Sequence, residues 1–137
     1  MLVSTYECRS ISITIDRDWR EVYTFLARPE NFPLWASGLV NGLEKSGDEW
    51  FADGPSGRVR IRFSLPNDFG VVDHTVMLGD GAEVYIPLRV IRNGYGSEVV
   101  FTLFRIEGMD EARFQSDAEW VERDLETLKA LMENAPS

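Results

Sequence analysis

His74 is the only histidine among the 137 residues, and so the only side chain whose ordinary pKa lies near neutrality. In Val72-Asp73-His74-Thr75-Val76-Met77-Leu78, strand alternation collects Val72, His74, Val76 and Leu78 on one face and Asp73, Thr75 and Met77 on the other. The first set is the more apolar, which points His74 inward. An inward imidazole can act as a general acid or base, or anchor a ligand through one polar contact. The plainer alternative is a buried histidine satisfied by a neighbouring carbonyl or hydroxyl. Asp117 is the second candidate, because it lies about 40° from Val121 on a helical wheel, on the flank of an apolar stripe. Asp124 lies about 60° from Val121 on the same side. A carboxylate there must be paired or must face a wet cavity. Arg105 and Arg89 are the expected partners of Asp117, and a catalytic pairing with His74 is the sharper alternative.

Other chemistries lack their residues. No G-x-S-x-G, Walker A loop, H-E-x-x-H, C-x-x-C or G-x-G-x-x-G occurs. One histidine and one cysteine make a zinc site improbable, and no metal or cofactor is expected. Cys8 excludes an internal disulfide and fits a reducing, cytoplasmic setting. The opening MLVSTYECRS has no basic-then-apolar leader pattern, and no apolar run is long enough to span a membrane. A net charge of −9 argues against nucleic acid or an anionic membrane as partner. Arg58, Arg60 and Arg62 alternate onto one strand face, most simply a solvated one. With 44% hydrophobic and 27% charged residues, the chain has the balance of one globular domain spanning residues 1–137.

The elements that must position these residues end in a long helix. Asp110 to Asn134 contains no Gly or Pro, and Phe114, Ala118, Val121, Leu125, Leu128 and Met132 recur at helical spacing. Asp110 is its expected N-cap, with Met109 and Phe114 placed as a hydrophobic staple. Such a helix is roughly 36 Å long and needs a broad partner surface. RSISITI, residues 9–15, alternates as a strand with one buried face. Asp16 is the expected N-cap of a short helix bearing Trp19, Val22, Tyr23 and Leu26, and Pro29 ends it. A second short helix around 29–35 follows, with Pro29 at a tolerated first position. Turn signals then separate six strands at about 39–45, 49–53, 58–65, 70–78, 82–91 and 97–105. Pro87 belongs at an outward or bulged site of the fifth of these. Asn93-Gly94-Tyr95-Gly96 is a hairpin loop rather than a phosphate cradle. The expectation is an α+β domain with a seven-stranded antiparallel sheet closed by the terminal helix.

Trp19 to Leu26 followed by Pro29-Glu30-Asn31-Phe32-Pro33-Leu34-Trp35 is similar to the helix pair of the Bet v 1-like, or SRPBCC, superfamily, which includes START domains and polyketide cyclase/dehydrase-like proteins. The segment Phe101 to Arg105, then Met109, Phe114, Asp117 and Val121, then Asp124 to Lys129, resembles the last strand and helix of small bacterial members. The resemblance implies a helix-grip fold, with the sheet curved around the terminal helix and a ligand cavity between them. It implies a mouth flanked by the short helices and the start of the long helix, hence by Phe32, Trp35 and Phe114. Phe63, His74, Ile86, Phe101, Asp117, Ala118 and Val121 complete the expected lining.

Three functions fit. The first is binding of a small apolar or aromatic metabolite or lipid. The second is a cyclase or dehydratase using His74, alone or with Asp117, as acid–base groups. The third is an interaction module that docks a partner, or a second copy of itself as a homodimer, through a sheet edge or through Trp120 at the stripe's border.

Overall fold

The computed structural model describes residues 4–38, 42–54 and 57–136. Its order is β1 (Cys8–Ile15), α1 (Trp19–Leu26), a 3-10 turn (Pro29–Asn31), α2 (Phe32–Trp35), β2 (Leu43–Ser46), β3 (Glu49–Gly54), β4 (Gly57–Phe63), β5 (His74–Met77), β6 (Glu83–Ile86), β7 (Leu88–Asn93), β8 (Gly96–Phe104) and α3 (Glu111–Asn134). The start of the expected strand at 39–45 lies outside the described residues; from Leu43 it is β2.

α3 is the helix that its sequence demands. The Asp110 carboxylate accepts the Arg113 N–H at 2.8 Å, and Phe114, Ala118, Leu125, Leu128 and Met132 are buried. It packs chiefly on β1, with further contacts to α2 and β8. Ile15, Val22, Leu88, Val99, Leu125 and Leu128 are at most 2% exposed, which marks the centre of the core. Each such side chain contributes roughly 1.5–3 kcal/mol by burial.

Among the described residues the strands number eight, in two antiparallel sheets, rather than seven in one. One sheet runs β1-β8-β7 and the other β2-β3-β4-β5-β6. Pro87 is the cause. The segment expected as one strand at 82–91 divides there into β6 and β7. His74 faces Ile86, and Val71 still faces Arg89 in the same register. Between these pairs Asp73 stands opposite Pro87, which has no N–H to give the ladder. The Asp73 side chain takes over. Its carboxylate accepts the Leu88 N–H at 2.9 Å, the Tyr85 hydroxyl at 2.7 Å and two Arg89 N–H groups at 2.8 Å each. The sheet break is therefore fastened by one side chain on the outer face.

Two other expectations need correction. The N-cap of α1 is Asp18, which accepts the Arg20 N–H at 2.8 Å, and not Asp16. Asp16 is held outside the helix because its own N–H donates to Glu133 on α3 at 2.9 Å. The strand expected at 70–78 is ladder-paired as β5 only from His74. Gly70 (φ +71°) approaches β7 so closely that a Cβ would lie 2.2 Å from the Val90 carbonyl oxygen. The glycine-rich turn after β7 is the expected hairpin, with Asn93 paired to Gly96 across Gly94-Tyr95.

Candidate functional site

The two faces of the five-stranded sheet divide by alternation. On the outer face, Arg58 pairs with Glu44 at 3.1 Å and stacks on Phe51, while Arg60 pairs with Glu49 at 2.7 Å. These arginines form a solvated ion-pair lattice, as their alternation suggests. On the inner face, register aligns Trp50, Ile61, Val76 and Val84 in one row and Phe63, His74 and Ile86 in the next. Of these seven, only Ile61 and His74 are buried. Trp50, Phe63, Val76, Val84 and Ile86 keep part of their surface accessible. The inner face is thus apolar and incompletely covered, in contrast to the centre of the β1-β8-β7 sheet, where Ile15, Leu88, Val90 and Val99 are at most 3% exposed.

His74 sits at the aromatic end of this face. The Phe32 ring meets it edge-on at 5.1 Å between centroids, and the Phe63 ring lies at 5.9 Å. Phe32 also meets Trp35 at 5.2 Å and Phe63 at 5.6 Å, and Trp50 meets Phe63 at 6.3 Å. Helix α2 supplies Phe32 and Trp35, so the short helices and the sheet build one aromatic cluster. His74 is 3% exposed, and its Nδ1 lies 3.3 Å from the Val72 carbonyl oxygen. Burial pulls its pKa down to about 4, against the smaller upward pull of the Val72 carbonyl and the Asp73 charge. The imidazole is neutral at pH 7.

Asp117 is not joined to His74. It accepts from Arg113, one turn earlier on α3, at 3.0 Å. The partners suggested for it are engaged elsewhere, Arg89 with Asp73 and Arg105 with Glu7 and Glu111. An i, i+4 pair was readable in the sequence and is the local solution. Asp124 instead accepts the Ser37 hydroxyl at 2.6 Å, and Trp120 Nε1 donates to the same hydroxyl at 2.5 Å. This chain of bonds clamps the end of α2 to the middle of α3. Half-burial raises the Asp124 pKa, and the two Ser37 bonds oppose the rise.

Of the remaining lining candidates, Phe101, Phe114 and Ala118 are buried. The Arg9 guanidinium lies 5.0 Å over the Phe114 ring. Val121 alone among the α3 stripe retains partial exposure, between Ala118 at 1% and Leu125 at 1%. The helix is therefore least well covered at its middle, where the Ser37 clamp holds it. Trp50 was not among the sequence candidates, although alternation with Ala52 marks its face. Lys45 shares that face, with its ammonium 5.6 Å over the Trp50 ring.

A separate cleft of about 680 Å³ opens where β1 meets the C-terminal end of α3. Asp16, Asp18, Glu21 and Glu133 line it, and Arg17 crosses it to the carbonyls of Met132 and Ala135. Its polar groups are spent on holding the helix end. Among the described residues no three His, Cys, Asp or Glu side chains converge as metal ligands, and no helix is long and apolar enough to cross a membrane.

No family model matches the sequence, and no curated protein matches it. Solved structures do resemble the fold. A START superfamily protein from Mycobacterium smegmatis superposes with a TM-score of 0.71 at 11% identity, covering 92% of this chain and 97% of that one. The Aha1 dimer from Colwellia psychrerythraea gives 0.70 at 14% identity, covering 96% and 99%. DynU16, a protein of the dynemicin biosynthetic locus, gives 0.66 at 15% identity, covering 93% of this chain but 47% of its own. At these identities the likeness is one of fold. With its antiparallel sheets, paired short helices and long terminal helix, this chain has a START-like helix-grip fold.

Proposed function

We propose that this protein binds a small apolar or aromatic molecule between the inner face of β2–β6 and the middle of α3. The observations that carry this reading are the partly accessible apolar inner face, ending in the aromatic cluster around His74, and the less covered Val121 on α3. An apolar concave surface with few polar groups is the usual chemistry of such sites. The START superfamily neighbour supports it at the level of fold. Acid–base catalysis is the weaker reading, because His74 is held near 4 and no carboxylate bonds it. Native mass spectrometry of the protein purified from cells tests the proposal. A bound small molecule released on denaturation is expected, or one-to-one uptake of an added apolar probe; failure to take up any apolar compound would sink it.

A further inference from the structure

His74 fixes more than the location of the site. Val72 offers Nδ1 a carbonyl oxygen, which can only accept, so the proton of the neutral ring resides on Nδ1. Nε2 then carries a lone pair. None of the described residues donates to it, and the rings nearest the imidazole, Phe32 and Phe63, have no polar hydrogen to give. Yet no buried side-chain nitrogen or oxygen among the described residues is left without a partner. Nε2 therefore keeps some accessible surface, although the residue as a whole is only 3% exposed. The nearest acidic group in sequence, Asp73, is turned to the outer face and occupied by Leu88, Tyr85 and Arg89.

Resting on the binding reading above, we infer that the site selects a neutral ligand bearing a hydrogen-bond donor, such as a phenol or an alcohol, and that His74 Nε2 accepts that hydrogen. A ligand without a donor would bury the lone pair unpaired, and an anion would meet it with repulsion. The depressed basicity of the ring agrees, since it does not become a cation to welcome a carboxylate. The flanking rings supply faces and edges for a planar apolar body.

The experiment compares 2-naphthol, 2-methoxynaphthalene and 2-naphthoate by calorimetric titration of the full chain. About tenfold tighter binding of 2-naphthol than of its methyl ether is expected, with 2-naphthoate weakest, and His74→Phe should erase the difference. Should His74→Phe fail to fold, imidazole ¹⁵N–¹H correlation spectra of the unsubstituted protein decide. Nδ1 should be protonated, and Nε2 bare and shifted by 2-naphthol. Equal affinity for the naphthol and its ether, or an Nε2–H tautomer, would overturn the inference and leave the binding reading standing. Binding of none of the three would remove both.

Discussion

The two sheets of this protein are built from similar strands but do different work. One face of the β1-β8-β7 sheet is covered by α1 and α3; at its centre Ile15, Leu88, Val90 and Val99 are at most 3% exposed, while Ile11, Ile13 and Leu103 on the same face are partly buried. The β2–β6 sheet carries an equally apolar inner face, yet Trp50, Val76, Val84 and Ile86 remain partly accessible. Burial is thus nearly complete at the centre of one sheet and partial on the inner face of the other, the face we propose for a ligand. The lesson is that an apolar alternation reports which face turns inward, not whether anything covers it.

The largest expected effect falls on the core layer between α3 and the β1-β8-β7 sheet. Leu128→Ala should cost about 3 kcal/mol, read from urea denaturation, because it opens a cavity in a fully buried layer. Val84→Ala on the open sheet should cost less than about 1 kcal/mol in the same measurement, because its methyls are already partly hydrated. Equal losses would erase the distinction between the sheets. Asp73→Asn comes next, at about 2 kcal/mol, since the amide cannot receive the paired Arg89 bonds at the junction.

The two sides of that junction should also separate by pH. Burial raises the Asp73 pKa, but bonds from Arg89, Tyr85 and Leu88 outweigh it and hold the carboxyl at about 2. Its contribution is present above the unfolded value near 4 and is lost as pH falls from there toward 2. His74 is also depressed, to about 4, so its unfolded form takes up a proton first. Stability from its neutrality is complete above about 6.5 and declines as pH falls toward 4, by on the order of 3 kcal/mol. His74→Phe should flatten the stability curve between pH 4 and 6.5 and leave the lower window unchanged. A slope that survives the substitution would assign the acid sensitivity to other groups.

α3 could be read almost to the residue because its signals are local: the Asp110 cap, the unbroken apolar spacing and the absence of Gly and Pro. His74 was placed inward correctly by period-2 alternation alone. The strand count failed at Pro87 because breaking or merely bulging a strand depends on what replaces the missing donor. That replacement is Asp73, fourteen positions earlier, acting through a geometry only the folded hairpin creates. The α1 cap failed for a similar reason, since Glu133 from the far end of the chain decides between Asp16 and Asp18. At the site, the resemblance grouped Phe32, Trp35, Phe63 and His74 as one lining, but Trp50 and the ring-to-ring packing were not legible from local pattern, because Phe32, Phe63, Trp50 and His74 come from four separate elements.

The difference between the two sheets is tested most directly by titrating a fluorescent apolar probe into the protein and into Val121→Trp. The indole should occupy the space opposite the inner face of β2–β6. Saturable one-to-one binding to the unsubstituted chain is expected, falling at least about tenfold in the variant while its unfolding free energy stays within about 1 kcal/mol of the original. Binding that Val121→Trp leaves unchanged, or no saturable binding at all, would contradict the assignment of that face to a ligand.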